Sequence, residues 1–319
     1  MTKARRAMQE DIRLIDLVIE LVDARIPMSS RNPDIDVLAQ GKSRILLLNK
    51  SDLADEGACR EWKAFFEKQG IFTALVNSVR RDTLRQIRPL IEKACAEKIE
   101  RDRKRGILNR PVRAMICGIP NVGKSTFINS FAGKAAAKTG NRPGVTKGKQ
   151  WIRLDRQVEL LDTPGILWPK FEDRSVGEKL AMTGAIRDEI LDSTDLAGKL
   201  ITLLEKKYPQ AIPDRYFDGK MPALEDALFG GTDISDPAEG LLKGAVGNKE
   251  EAAETQLLSG SGNDRYTAAV LNAITCNRHC LKADGAPDPE RAASLLIDDF
   301  RKAKLGRITL DDPDDFNEI

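Results

Sequence analysis

Along the first half of the chain, short dense apolar runs alternate with stretches whose apolar residues recur at helical spacing. "LVIELVDA" (17–24) and "RILLLNK" (44–50) are β-branched or leucine-rich runs ending in turn residues, as expected of strands buried on both faces of a parallel sheet. Between them, "ARIPMSSRNPDIDVLAQGK" predicts a loop and then a short helix. "ACREWKAFFEKQG" (58–70) carries helical periodicity and stops on Gly70, and "IFTALVNS" (71–78) is a third strand. "DTLRQIRPLIEKACAEKIE" (82–100) predicts a helix, kinked or delayed by Pro89, and the basic "ERDRKRGILNRP" (100–111) predicts a linker. "VRAMICG" (112–118) is a strand, with helical sequence from Lys124, and "WIRL" and "VELLD" pair as a hairpin across Asp155 and Arg156. Strand–helix alternation of this kind predicts a doubly wound, mostly parallel α/β sheet.

After Pro169 the pattern changes. "RSVGEKLAMTGAIRDEI" and "DLAGKLITLLEKKYP" are helical and no strand run follows. Residues 225–265 are rich in Gly, Asp and Ser and predict a mobile insertion. "DPERAASLLIDDFRKAKLG" (288–306) is an amphipathic helix, with Pro289 in its first turn and Gly306 at its end. The expected organisation is an α/β domain over 1–172 and a smaller all-helical domain over 173–319. Of the 319 residues, 41% are hydrophobic and 31% charged, ordinary for a globular protein, and no apolar run approaches the ~20 residues that span a bilayer. The start shows no signal-peptide stretch, and five scattered cysteines (Cys59, Cys95, Cys117, Cys276, Cys280) suit reduced thiols in a cytoplasmic protein. A net charge of +2 points to no partner, leaving local basic clusters to do so.

The chemistry is concentrated in five short segments. "GIPNVGKST", from Gly118 through Pro120, Asn121, Val122, Gly123, Lys124 and Ser125 to Thr126, matches the phosphate-loop pattern and sits between a predicted strand and a predicted helix. Its glycines let backbone N–H groups curl around phosphate, Lys124 would reach the β- and γ-phosphates, and Ser125 would ligate Mg²⁺. "LLDTPG" ends a strand at Asp162, which would face Mg²⁺ through water, and Gly165 would offer its N–H to the γ-phosphate. In the loop between, Thr146 is preferred over Thr139 as the second Mg²⁺ hydroxyl because it lies just before the strand at Trp151. Lys124, Thr146 and Gly165 are the expected catalytic groups. "LLLNKSD" then supplies a base reader. Asp52 would accept from the guanine ring N–H and exocyclic amine, Asn49 would steady the base, and the Lys50 stem would cover its face. In "VNSVR", Asn77 and Ser78 form the second base loop, with the Ser78 N–H meeting the guanine carbonyl.

The order is unusual, because both base loops precede the phosphate loop. "ELVDARIPMSSRNP", "LLLNKSD", "GIPNVGKST", "KTGNRPGVT" and "LLDTPGILWPKFED" closely resemble the ribosome biogenesis GTPase A (YlqF/RbgA) family of circularly permuted P-loop GTPases, strongly over 1–210 and more loosely over 266–310. The resemblance implies a cytoplasmic GTPase that binds GTP or GDP with Mg²⁺ and acts late in large ribosomal subunit assembly. It also implies a helical domain that helps engage ribosomal RNA, a monomer off the ribosome, and neither DNA nor membrane as partner. Asn121 matches the asparagine that holds K⁺ in potassium-stimulated GTPases of similar sequence. Readings in other classes are a signalling or transport GTPase with a protein partner, or a nucleotide-binding scaffold with negligible hydrolysis.

Where Ras-like GTPases carry the water-orienting glutamine, this chain has Ile166. The resembled family replaces that glutamine too, and is thought to use a histidine in an upstream W-F-P-G-H-M segment. Here the sequence opens at the matching methionine, its one histidine is the distant His279, and slow hydrolysis is expected. Cys276, His279 and Cys280 would share a helix face but lack a fourth zinc ligand nearby, which favours buried small side chains. Basic clusters at Arg101, Arg103, Lys104, Arg105 and Arg110, and at Arg301, Lys302, Lys304 and Arg307, are candidates for RNA backbone contact, against the plainer reading of solvated faces.

Overall fold

The computed structural model describes residues 9–107, 110–133, 150–154, 156–162, 173–186, 192–222 and 262–316. Thr139, Thr146, Gly165, Ile166 and residues 225–261 of the expected insertion lie outside them. The chain divides into two compact units, residues 1–187 with 307–319 and residues 188–306. The division falls later than a cut at 172/173, and the C-terminal stretch belongs with the first unit.

In the first unit the strands are β1 (Leu17–Asp23), β2 (Ser43–Asn49), β3 (Phe72–Leu75), β4 (Val112–Cys117), β5 (Gln150–Arg153) and β6 (Val158–Asp162). They form one sheet in the order β3-β2-β1-β4-β6-β5, parallel throughout except for β5, which runs antiparallel to β6 as the hairpin pattern requires. Two apolar layers cover it. On one face Val22, Leu46 and Leu48 meet Cys59, Trp62 and Phe66, and farther along that same face Val18, Met115, Cys117 and Leu161 meet Ile12, Ile15, Ile35 and Ala39; on the opposite face Leu17, Ile19, Leu21, Leu47 and Ile116 are equally buried. This double burial is why β1 carries no polar alternation apart from Glu20, whose carboxylate accepts from Arg31, Arg44 and the Asn32 N–H.

The helices of this unit are α1 (Asp34–Leu38), α2 (Glu56–Lys68), α3 (Arg81–Leu84), α4 (Ile87–Ala94), α5 (Ala96–Lys104), α6 (Lys124–Ala132) and α7 (Arg174–Met182). Asp55 caps α2 by accepting from the Ala58 N–H at 2.7 Å, and Cys59, Trp62 and Phe66 turn its apolar stripe inward. The single helix expected over 82–100 is three segments. Pro89 falls in the first turn of α4, where its missing N–H breaks no helical hydrogen bond, so the helix restarts just before it. The expected linker at 100–111 is helical as far as Lys104, because Lys98 donates to Asp102 one turn on (2.9 Å) and Arg101, Arg103 and Lys104 suit a helix C-terminus.

Residues 307–316 return to this unit as a strap. The Ile308 N–H donates to the Leu53 carbonyl, the Leu310 N–H to the Arg25 carbonyl, and the Thr309 hydroxyl to the Ala24 carbonyl. The buried Asp311 carboxylate accepts from the Ser29 N–H (2.8 Å), the Ser29 hydroxyl (2.7 Å) and Lys179 Nζ (2.9 Å). Phe316 lies against Trp62, with ring centroids 5.9 Å apart.

The second unit contains α8 (Ser193–Lys207), α9 (Ala211–Tyr216), α10 (Gly262–Asn277) and α11 (Pro289–Arg301). α8, α10 and α11 pack on one another, and Leu200, Ile201, Ile274, Leu296 and Phe300 on these helices are buried. Gly262 opens α10, so the last residues of the expected insertion are helical. Pro289 stands in the first turn of α11 as predicted, behind the Asp288 cap, although the helix ends at Arg301 rather than Gly306. Buried Asp299 accepts from Arg215 Nε (2.8 Å) and the Tyr216 hydroxyl (3.0 Å) and pairs with Lys304 (2.9 Å).

Replacing Asp311 with alanine strands Lys179 and the Ser29 N–H, and is expected to destabilise the first unit by about 3 kcal/mol. Urea unfolding of the full chain, followed by Trp62 fluorescence, should show an earlier first transition. An unchanged midpoint would mean that the strap contributes nothing.

Candidate functional site

In an open parallel sheet, ligands bind beyond the carboxyl ends of the strands, where the strand order reverses. Here that point lies between β1 and β4, neighbours in the sheet although β2 and β3 intervene in sequence. The segment Gly118–Gly123 leaves β4 at this end and leads into α6. Gly118 has φ 148° and Gly123 has φ 101°. A Cβ at Gly118 would stand 2.5 Å from the Leu21 carbonyl oxygen, and one at Gly123 would stand 2.5 Å from Asn49 Nδ2. Both conformation and space therefore demand glycine, and they let the loop curl as a phosphate cradle must. No side chain caps α6, so its first N–H groups face the loop with the positive end of the helix dipole. Ser125 and Thr126 lie in that first turn.

Lys124 is buried, and its Nζ donates to the carbonyls of Gly118 (3.0 Å) and Ile119 (2.9 Å) across the loop. Burial lowers its pKa to about 8, while the nearby Asp162 carboxylate favours the charged form. Asp162 is buried at the end of β6, opposite Ile116 of β4. Ser125, in the first turn of α6, and Asp162, at the end of β6, are a hydroxyl and a carboxylate of the kind that hold Mg²⁺.

The base loop reaches the same place from β2. The Asn49 carboxamide is buried and touches three segments at once. Its Nδ2 donates to the Val122 carbonyl (2.6 Å), and its Oδ1 accepts from the Ser78 N–H (3.0 Å) and the Ser78 hydroxyl (2.8 Å). The Ser78 N–H, expected to meet the guanine carbonyl, is directed at Asn49 instead, because an interior carboxamide oxygen must be satisfied. Asn77 caps its own turn, Oδ1 accepting from the Val79 N–H (2.9 Å). Ser51 pins the loop to the end of β3 through the Val76 carbonyl. Asp52 is exposed on the loop, and no side chain among the described residues hydrogen-bonds its carboxylate.

A buried charge cluster beside this loop had no assigned role in the sequence reading. Asp23, paired in register with Asn49, takes a two-armed contact from Arg25 (Nε 2.9 Å, Nη2 2.7 Å) and an ion pair from Lys50 (2.9 Å). Burial alone would raise the Asp23 carboxyl, but Arg25 and Lys50 hold it well below the usual carboxylate range. Lys50 has φ 59°, in the left-handed region, so its backbone turns the side chain back toward Asp23. The signal in the sequence was an Asp–Ala–Arg triplet at the end of a strand that is apolar apart from Glu20. Charges in such a place are buried, and buried charges pair.

Arg25 Nη2 also lies 3.4 Å from the Thr183 carbonyl, and Asn121 Nδ2 donates to the Gly184 carbonyl (2.9 Å). The turn after α7 is thereby joined to both the base side and the phosphate side of the crevice. Asn121, the residue expected to meet K⁺, thus has its amide nitrogen committed to the Gly184 carbonyl. Cys276, His279 and Cys280 do not share a helix face, since α10 ends at Asn277 and His279 has φ 49°, and no cluster of three metal-binding side chains occurs among the described residues. Lys302 and Lys304 pair with Asp298 and Asp299, which weakens that cluster as a phosphate-binding surface. No described helix is long and apolar enough to cross a membrane.

Comparison with known proteins agrees with this geometry. A family model described as a 50S ribosome-binding GTPase matches residues 113–212. Ribosome biogenesis GTPase A of Bacillus pumilus is 41% identical over 314 residues, covering 98% of this chain and 96% of its own length. The protein of the same name from Bacillus cereus is 40% identical over 318 residues, covering 100% and 93%. Among solved structures, GNP-bound YlqF from Thermotoga maritima superposes with a TM-score of 0.59 at 26% identity, over 98% of this chain and 99% of that one. Base loops first, phosphate loop after, and near-complete coverage of such relatives lead to one conclusion: the chain belongs to the ribosome biogenesis GTPase A family of circularly permuted P-loop GTPases.

Proposed function

We infer that this protein is a GTP-hydrolysing switch that assists late assembly of the large ribosomal subunit, engaging the precursor and its RNA in the GTP state. The observation that carries the nucleotide half of this reading is the Asn49 carboxamide, which joins the guanine-reading loop to the phosphate loop in one buried contact. The ribosomal half rests on the relatives' names and on the 50S ribosome-binding GTPase model.

In this reading Asp52 accepts from the guanine ring N–H and amine, and the N-terminus of α6 with the Gly118–Gly123 backbone receives the phosphates. Lys124 turns from its own loop's carbonyls toward the β- and γ-phosphates, whose charge further favours its protonated form. Ser125, Thr146 and Asp162 would hold Mg²⁺, which offsets charge developing on the phosphates, and Asn121 would add K⁺. Gly165 offers its N–H to the γ-phosphate. Because Ile166 replaces the water-orienting glutamine, unassisted turnover is slow and the ribosomal particle raises it. The protein is cytoplasmic and monomeric off the ribosome in this scheme.

Three measurements test it. Co-sedimentation with large ribosomal subunits should be stronger with a non-hydrolysable GTP analogue than with GDP, and equal recovery would sink the switch model. Multiple-turnover hydrolysis by the protein alone should be on the order of 10⁻³ s⁻¹ and rise at least roughly tenfold with large subunits. Intrinsic turnover already as fast as the stimulated rate would contradict the assigned role of Ile166. Asn49→Ala should weaken GDP binding roughly 10- to 100-fold, the equivalent of the hydrogen bonds lost. Its far-UV circular dichroism should stay unchanged, and wild-type affinity in this variant would show that the three loops need no common tie.

A further inference from the structure

The amino end of the sheet, remote from the nucleotide crevice, carries a groove of its own, about 810 Å³ in volume. Ile99 of α5, Val112 at the start of β4 and Val158 at the start of β6 give it apolar walls. Four arginines also line it, Arg88, Arg110, Arg153 and Arg156, against two carboxylates, Glu92 and Glu100. β4 and β6 run from here to Gly118 and Asp162, so about one strand length, roughly 15 Å, separates the groove from the phosphate loop. Its makeup is not that of an ordinary solvated face. Every described cation lining it is arginine, whose planar fork grips phosphate oxygens in pairs and stacks on bases. The Arg88 guanidinium is held over the Phe131 ring, 5.8 Å from its centroid, and Glu100 is drawn toward Lys104 at 3.8 Å. Ile99 is large and apolar yet 40% exposed, and Arg103 follows it one turn on, along the same side of α5.

A second observation lies around the end of the edge strand β5. Strand alternation puts Trp151, Arg153, Glu159 and Arg113 on one face of the sheet, opposite to that of Val112 and Val158. Arg153 ends β5 and belongs both to this face and to the groove. The Arg113 guanidinium stands over the Trp151 ring, 5.4 Å from its centroid, and its Nε donates to Glu159 (3.3 Å). An indole backed by a cation and still 43% exposed is a platform on which a base can stack. We propose that Trp151 and the groove form a docking surface for single-stranded RNA, with an unpaired base on Trp151 and the neighbouring phosphates on Arg153, Arg156 and Arg88. It rests on the reading that the protein engages ribosomal RNA, and adds to that reading a contact away from GTP and outside the helical unit. An acidic peptide would suit the arginines but has no flat ring to lay on the indole. A lone nucleotide would fill the groove without using both sides of the strand end.

The test is a salt titration of binding between the full chain and a labelled oligouridylate of about 12 nucleotides, followed by fluorescence anisotropy. The triple variant Arg88→Gln, Arg153→Gln, Arg156→Gln should bind at least ~10-fold more weakly. The slope of log K against log salt should also fall by about 2, since each phosphate contact on a single strand contributes ~0.7. Trp151→Ala should weaken binding ~5-fold or more and leave that slope unchanged, because stacking releases no counterions. Both variants should keep wild-type GDP affinity and far-UV circular dichroism. Unchanged RNA affinity in the folded triple variant, or no RNA binding by the wild type, would overturn the proposal. Wild-type RNA affinity in a folded Trp151→Ala would do so too. If Trp151→Ala does not fold, the triple variant and its slope decide alone. Two competitors exclude the other occupants: polyglutamate that displaces the label as well as unlabelled oligouridylate would mark a protein-binding face, and uridine monophosphate bound as tightly as the oligonucleotide would mark a small-anion pocket. Either result refutes the RNA assignment. Failure of the underlying ribosomal reading looks different, because the wild-type protein would then not co-sediment with large subunits in either nucleotide state.

Discussion

The carboxamide of Asn49 cannot be satisfied unless three segments distant in sequence meet. Its nitrogen needs the Val122 carbonyl of the phosphate loop and its oxygen needs Ser78 of the second base loop, while its own backbone is the last residue of β2. An interior amide left without partners costs about as much as several surface interactions contribute, so this one contact strongly favours the assembled crevice over any arrangement in which the loops part. The Gly123 position follows from it, since a side chain there would collide with Asn49 Nδ2. The tie also explains why circular permutation does no harm. Side-chain contacts across a sheet are indifferent to which loop the chain visits first, provided that the strand ends still converge.

Around that tie, charge is arranged by depth. The carboxylates of Asp23, Glu20 and Asp311 are buried and fully employed by arginine, lysine, serine and backbone donors. Asp52, the carboxylate proposed to read the base, is exposed. Buried ion pairs contribute little net stability against apolar residues of like volume, yet breaking one is costly. They hold neighbouring loops in a single conformation, and a binding site that reads hydrogen-bond donors needs that more than it needs extra stability.

Most of the fold was legible in the sequence because the sheet is covered on both faces. Continuous apolar runs such as "LVIELV" and "ILLL" have few other uses in a chain of this composition, and the β5–β6 hairpin showed itself through its turn. The phosphate loop was legible because glycine, lysine and serine at that spacing answer one steric and one electrostatic demand. What escaped was set by tertiary contact. Nothing local says that Pro89 should restart a helix rather than bend one, or that the Ser78 N–H should turn inward to Asn49. The basic run at 101–104 looked like a linker because its helical bonds and its Asp102–Lys98 pair are invisible to hydropathy. The strap was missed for a similar reason. "RITLDDPDDF" has no periodicity of its own, and its apolar residues find partners only on the far side of the chain.

That strap bears on how the protein is made. Residues 308–311 supply backbone and side-chain partners to Leu53, Ala24, Arg25, Ser29 and Lys179, all of which leave the ribosome well before them. Between the two parts of the nucleotide unit lies the entire second unit. A nascent chain that has completed every guanine- and phosphate-binding motif therefore still lacks the segment that closes over the base-loop side. Translation must traverse the helical unit before the nucleotide unit can finish folding. The finished nucleotide unit is in this sense a report that the helical unit has already been synthesised.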